Sequence, residues 1–316
     1  MIKYILKRIV MLIPVLIGVT FIVYFILALT PGDPVNIILG DQATEESKME
    51  LREELGLNDP LLARYFNYMK GVLHGDMGKS YKNNLDVSEQ ILERFPNTVI
   101  LSLCAILIAI LVGIPIGIIS AKYQNTILDR ISMIFALTGI SMPVFWLGLM
   151  LVVIFAVNMR IFPSSGFDTS SFGAAVKSLV LPSIVLSVNS MATITRMTRS
   201  SMLEVMRKDY IDTARAKGVK ESVVTIRHML SNALIPIVTV VGISFGTLLG
   251  GSIITETVFA WPGIGRFTVE AIKMKDTPTV LGCVIFLSVM FSCVNLLIDI
   301  LYAFIDPRIK SQYKQK

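Results

Sequence analysis

The stretch DYIDTARAKGVKESVVTIRHMLSNALIP, residues 209–236, is the longest polar interruption in the apolar second half of the chain. It opens with Asp209 and Asp212, and negative charge is favourable in the first turn of a helix. Gly218 follows where a short helix would stop, because glycine readily adopts the left-handed conformation of a helix end. The apolar side of this segment is formed by Tyr210, Ile211 and Ala214. The pattern predicts a short helix that ends in a tight turn between two apolar segments.

The composition is that of a membrane protein. The chain has 316 residues, of which 53% are hydrophobic and 16% are charged, whereas a soluble domain has about 25% charged residues. Six runs contain no Asp, Glu, Lys or Arg, and each comes close to or exceeds the ~20 residues that cross ~30 Å of hydrocarbon. They are residues 9–29, 99–121, 131–159, 178–195, 229–255 and 277–298. We therefore predict an all-α polytopic membrane protein with six transmembrane helices.

The distribution of Lys and Arg predicts the orientation. Basic residues precede the first run, lie between the second and third and between the fourth and fifth, and follow the last run. With six spans all four segments are on one side, so both termini are predicted to be cytoplasmic. On the opposite side, residues 30–97 carry seven Lys and Arg against twelve Asp and Glu. The net charge of +6 then reflects topology and contact with the lipid bilayer, and we predict no nucleic-acid partner.

Four residues in or beside the spans are candidates for a translocation path or hinge. Pro143 interrupts the third run and predicts a kink, and Ser141 is close to it. Asn189 lies in the fourth run, and Glu256 follows the fifth run at the outer boundary, where it would be costly inside hydrocarbon. Ordinary helix packing explains Pro143 and Asn189 equally well, and the segment around Glu256 could serve only as an interfacial anchor.

The sequence offers no cofactor site, metal site or catalytic centre. Gly78-Lys79-Ser80 is not a phosphate loop, because Leu73 stands where that loop needs glycine. His74 and His228 are predicted to lie on opposite sides of the membrane, so they do not suggest a metal cluster. The apolar runs contain no acidic or basic residue, which argues against an ion-coupled secondary transporter or channel. Energy for any transport must then come from a partner.

Several strings, taken in order, resemble the first membrane subunit of the dipeptide, oligopeptide and nickel ABC importers. The resemblance runs from residue 1 to about Lys310. It rests on PGDP at residues 31–34, GDMGKS at 75–80, RMTRSSM at 196–202, TARAKG at 213–218, NALIP at 232–236, ETVFAWPGIGR at 256–266 and DPRI at 306–309. It implies a type I ABC importer permease fold in a bacterial or archaeal cell membrane.

The resemblance also gives the segment at residues 196–230 a function. Importer permeases of this kind carry an ATPase-coupling loop with an acidic residue, a small residue, Ala, three further residues and Gly, with a Pro downstream. The matching residues here are Asp212, Thr213, Ala214, Gly218 and Pro236. The match departs from the usual pattern in having Asp for Glu, Thr for Ala and a longer interval from Gly218 to Pro236. It implies that Asp212, Ala214 and Gly218 dock on the ATPase, whereas the alternative is a plain solvated loop.

The implied organisation has three parts and several partners. Residues 1–94 would hold the first span and an amphipathic outer segment that packs on the spans or on a partner, 95–305 the permease core, and 306–316 a cytoplasmic tail. The implied partners are a second homologous permease, two cytoplasmic ABC ATPases and an extracytoplasmic substrate-binding protein. Di- or oligopeptides are the favoured substrate, and nickel, a metal chelate or glutathione are alternatives.

Overall fold

A computed structural model describes residues 2–40 and 43–305. Within these residues all named elements are helical, and one isolated antiparallel bridge joins Lys79 and Asp86. The tail predicted for residues 306–316 lies outside the described residues.

Five helical segments are long and apolar enough to cross a membrane. Four are the single helices α1 (Ile2–Leu29), α5 (Val87–Lys122), α8 (Phe172–Met206) and α14 (Thr277–Ile305). The other combines α10 (Glu221–Val223), a π-helical segment (Val224–Leu230) and α11 (Ser231–Gly251). The shorter helices are α2 (Pro34–Leu39), α3 (Glu45–Glu54), α4 (Leu61–Leu73), α6 (Ile127–Ser141), α7 (Val144–Leu151), α9 (Asp209–Ala216), α12 (Ile253–Val258) and α13 (Ile264–Lys273).

The third apolar run is bent more sharply than the predicted kink. Helix α6 meets α7 and its π-helical extension (Val152–Asn158) at 101°, with the break at Met142 and Pro143. Met142 is extended, at φ −80° and ψ 125°, as expected for a residue that precedes proline. The predicted six spans are therefore obtained only if this bent pair counts as one span.

The fourth span is longer than its apolar run. Helix α8 continues to Met206 because buried residues recur at helical spacing beyond the run, at Thr198, Met202 and Val205. The next spanning segment likewise starts at Glu221. The connection between them is therefore residues 207–220, shorter than the 196–230 expected from polarity.

Helices α5 and α8 make the most extensive helix contact among the described residues. A Cβ atom added to Gly117 would lie 2.6 Å from Thr198 Cβ, and one added to Gly113 would lie 2.9 Å from the Met191 carbonyl oxygen. Thr195 donates a hydrogen bond of 3.2 Å to the Gly113 carbonyl. Small residues four apart let two spanning helices approach closely, so this pair forms the centre of the fold.

The segment that contains α2 to α4 packs along α1. The Tyr65 hydroxyl of α4 donates to the Ile17 carbonyl at 3.0 Å and lies 3.0 Å from Thr20 Oγ1. Ile17 is about 18 Å along the helix axis from Leu29, the last residue of α1, so α4 contacts the middle of α1 and not its end. Helix α4 therefore packs on a span, which is one of the two alternatives predicted for this segment, and packing on a partner stays a prediction.

Candidate functional site: the coupling helix and the span surfaces

Helix α9 has the predicted boundaries and the predicted stop. Gly218 has φ +75°, and its N–H donates to the Arg215 carbonyl at 2.9 Å. The Val219 N–H donates to the Ala214 carbonyl at 3.2 Å. These two bonds form a Schellman motif, which needs a left-handed residue at the position of Gly218.

The two sides of α9 differ in exposure. Ile211 is fully buried and Ala214 is 9% exposed, in a cluster that also contains Met202 of α8 and Met229 of the π-helical segment. The exposed residues of α9 are Asp209, Tyr210, Asp212, Thr213, Arg215 and Ala216. Ala214 is turned towards the chain's own helices, and its docking on an ATPase stays a prediction. Its small side chain allows α9 to pack on the bundle.

An ion pair joins α9 to the next spanning segment. Arg215 binds Glu221 through Nη2 to Oε1 at 3.0 Å and through Nε to Oε2 at 3.3 Å, and its Nη1 is 3.6 Å from Asp212 Oδ1. The pair bridges the turn at Gly218. Together with the buried cluster, it connects α9 to α10.

Pro236 lies inside α11 and is exposed. It has no N–H to continue the helical ladder, and the π-helical segment precedes α11 directly. The Asn232 amide donates to the His228 carbonyl across this region. The span that follows α9 is thus irregular at the end nearest to α9, and helices bend at such interruptions.

A buried ion pair near α9 was not predicted from the sequence. Asp129 at the start of α6 is 4% exposed and accepts hydrogen bonds from Arg199 Nε at 2.7 Å and Arg199 Nη2 at 2.8 Å. It also accepts from the Ser120 hydroxyl and from the Asn125 N–H. The carboxylate therefore ties α6 to α5 and α8 at the end of the bundle where α9 lies.

Glu256 has a structural position at the opposite end of the bundle. Its carboxylate is fully buried and accepts from Thr98 Oγ1 at 2.9 Å, Ser252 Oγ at 2.7 Å and the Arg266 N–H at 3.0 Å. Since Arg266 is in the first turn of α13, the negative charge also faces a helix N-terminus, where it is stabilised. The Glu256 side chain has no exposed surface in this conformation, and its place in a path or hinge stays a prediction.

Two glycines make room for that carboxylate. A Cβ atom at Gly263 would lie 2.4 Å from Glu256 Oε2, and one at Gly265 would lie 3.0 Å from the same oxygen. Trp261, also fully buried, donates from Nε1 to the Asn97 carbonyl at 3.0 Å. The segment around Glu256 and Trp261 is thus folded against the first part of α5.

The other path candidates lie on exposed surfaces. Ser141 and Pro143 flank the break between α6 and α7, and the Ser141 hydroxyl donates to the Leu137 carbonyl at 3.0 Å. Asn189 is exposed on α8. A Cβ atom added to Gly139 of α6 would lie 3.0 Å from Val188, so this part of α6 packs beside Asn189, whereas Glu256 lies in a separate buried cluster.

In fold, the chain resembles a known importer. A chain of an inward-facing MetNI methionine ABC transporter superposes with a TM-score of 0.56 at 18% sequence identity, over 69% of this chain and 97% of that chain. The helical bundle thus has the fold of the permease subunits of ABC importers.

The sequence comparisons agree over the whole length. Residues 113–311 match the family described as the binding-protein-dependent transport system inner membrane component, and residues 1–102 match the N-terminal family of such membrane components. The chain belongs to this permease family.

Three relatives are 42–44% identical to this chain in sequence. It is 44% identical to a dipeptide transport system permease protein of Alkalihalophilus pseudofirmus, over 98% of this chain and 100% of the relative. It is 42% identical to the dipeptide transport system permease protein of Escherichia coli K12, over 98% and 99%. It is also 42% identical to the glutathione transport system permease protein of Salmonella typhimurium, over 98% and 99%.

Proposed function

We propose that this chain forms, with a second homologous permease, the membrane path through which an ABC importer takes up dipeptides or oligopeptides. The substrate class is inferred from two dipeptide permeases that are 44% and 42% identical to this chain over 98% of its length. An extracytoplasmic binding protein delivers the peptide, and two cytoplasmic ATPases supply the energy. The loops rich in Lys and Arg face the cytoplasm, which puts α9 on the ATPase side.

The exposed side of α9 is the ATPase contact in this proposal. Asp209, Tyr210, Asp212, Thr213 and Ala216 project away from the bundle. Ile211 and Ala214 anchor the helix to it. When the ATPases move, the force on the exposed side of α9 is transmitted through the buried cluster to α8 and to the π-helical segment. The Arg215 and Glu221 pair keeps the turn at Gly218 closed during that movement.

Matched variants of α9 test the coupling contact. Ala216→Glu changes the exposed side and should leave the fold intact, but it should weaken retention of the ATPases when the complex is purified. Ala214→Glu buries a charge without a partner and should instead reduce the amount of folded chain. Lys177→Glu, at the exposed opposite end of α8, is the control and should affect neither quantity. Wild-type ATPase retention and uptake in Ala216→Glu would contradict the proposed contact.

Glutathione is the second candidate substrate, because a glutathione permease also matches at 42% identity. The two candidates are separated by uptake of radiolabelled dialanine and radiolabelled glutathione in cells that express the complete importer. We expect dialanine uptake that excess dialanine inhibits and excess glutathione does not. Uptake of glutathione alone would favour the second candidate. Dialanine uptake that persists when the ATPases cannot hydrolyse ATP would contradict an ATP-driven importer.

A further inference from the structure

The second half of α8 carries an uncovered polar side. Asn189, Thr193, Arg196 and Ser200 follow one another at intervals of four, three and four residues, which places them on one face of the helix. Thr193 is half-buried and the other three are exposed. The opposite face is buried in the bundle, with Ile194 and Thr198 both at 0% exposure.

Asn189 and Thr193 lie within the apolar run at residues 178–195, and Arg196 follows directly after its end. Arg196 is ten residues, or about 15 Å, from the end of α8 at Met206. Helix α8 is less apolar than α5. The uncovered side of α5 shows what a lipid contact looks like in this chain, because Leu103, Leu107 and Leu111 succeed one another there and are all exposed. An exposed amide inside this run, with a guanidinium at its end, would be costly in hydrocarbon, so this side of α8 is better suited to a water-filled path than to lipid.

Arg196 has no counter-ion in the part of the chain that the structure describes. Its neighbour Arg199, three residues further on, turns inwards and is held by both oxygens of Asp129. Among the side chains that the structure describes, at residues 10–40, 43–250 and 252–298, no hydrogen bond or ion pair involves the Arg196 guanidinium or the Asn189 side-chain amide. A cation without a partner on a span surface is suited to an anion that arrives from outside the chain.

We propose that Arg196 binds the carboxylate of the solute during its passage, and that the Asn189 amide, about 10 Å further along α8, is the preceding contact on the same surface. A guanidinium can donate two parallel hydrogen bonds to a carboxylate, which makes it well matched to this group. Every free peptide ends in such a carboxylate, and glutathione carries carboxylates as well. The inference rests on the proposed uptake of peptides, and it adds the group that the path recognises.

The first test asks whether this side of α8 is open to water in the complete importer. Cysteine is introduced singly at Asn189, Arg196 or Leu111, in a chain whose Cys104, Cys283 and Cys293 are alanine, and is treated with a charged methanethiosulfonate reagent. The first two positions should react about tenfold faster than the lipid-side control at Leu111, since the reactive thiolate forms poorly in hydrocarbon. Dialanine should slow the reaction at Arg196→Cys. Reaction at Arg196→Cys as slow as at Leu111→Cys in both the resting and the ATP-bound complex would overturn the proposal.

The second test measures uptake of radiolabelled dialanine by the reconstituted importer. Arg196→Gln should lower uptake about tenfold or more, as expected for loss of a charge-assisted hydrogen bond, while ATPase retention stays at the wild-type level. Arg196→Lys should recover part of the uptake. Wild-type uptake in Arg196→Gln would refute binding of the solute carboxylate by Arg196. A loss of uptake confined to vesicles with anionic lipid would show that Arg196 binds a lipid headgroup instead. If the peptide proposal itself fails, wild-type vesicles take up no dialanine, yet the thiol reaction still reports whether α8 lines a path.

Discussion

Arg199 binds both carboxylate oxygens of Asp129, with Nε 2.7 Å from Oδ1 and Nη2 2.8 Å from Oδ2, although 70 residues separate the two in sequence. Asp129 is nearly fully buried, whereas the Arg199 side chain is 23% exposed. The pair fixes the beginning of α6 to α8 on the side of the bundle from which α9 projects. The bend at Pro143 then separates a firmly attached α6 from α7, whose Gly148 packs on Phe259 near the other end.

Removal of the arginine should destabilise the fold. Arg199→Gln leaves a buried carboxylate without its cation, at a cost of about 3 kcal/mol, the lower end for a buried pair because Arg199 is partly exposed. Thermal unfolding of the purified complex measures the loss. Arg130→Gln is the control, since Arg130 is exposed and adjacent to Asp129, and it should change stability by no more than about 0.5 kcal/mol. Equal effects of the two substitutions would show that the ion pair contributes nothing.

The contact between Glu256 and Gly263 gives a test of packing. Gly263 has φ −103°, which any residue adopts, so the reason for glycine is space beside the carboxylate. Gly263→Ala should cost about 1–3 kcal/mol through overpacking. Gly173→Ala is the control, because its added Cβ meets no atom within 4 Å. In a Glu256→Ala background the cost of Gly263→Ala should disappear, and a cost that persists there would contradict the assignment.

The local features of this chain follow from its sequence, and the long-range polar contacts do not. The spans are set by runs of apolar residues, and α9 is set by its charges, its apolar side and Gly218, all of which are neighbours in sequence. Thr98 and Glu256 are 158 residues apart, so no local pattern could indicate their hydrogen bond. The extent of α8 was underestimated because polar residues such as Arg196 and Arg199 ended the apolar run without ending the helix.

The contact between α4 and α1 should depend on one hydroxyl group. Tyr65→Phe removes the bond to the Ile17 carbonyl, at a cost of about 1 kcal/mol, while Thr20 remains paired with the Leu16 carbonyl. We expect faster limited proteolysis within α3, because the helices beside it are held less firmly to α1. Tyr123→Phe, at an exposed position, is the control. An unchanged cleavage rate in Tyr65→Phe would show that this hydrogen bond does not hold the segment.

The last prediction concerns the geometry of Gly218 and the transmission of force through α9. Gly218 has φ +75°, and a Cβ atom there would meet nothing within 4 Å, so a substitution is opposed by the backbone conformation alone. Gly218→Val should introduce strain of about 1–3 kcal/mol and re-aim α9 relative to α10, because a β-branched residue is poorly tolerated at positive φ.

Gly218→Asn is the matched variant, since asparagine is the residue after glycine that most readily adopts the left-handed conformation. In the reconstituted importer, Gly218→Val should lose dialanine uptake and retain less ATPase, while Gly218→Asn should stay near the wild type in both. Equal loss in the two variants would mean that a partner surface excludes any side chain at this position. Wild-type uptake in both would contradict a coupling role for the turn, because a plain solvated connection tolerates either residue.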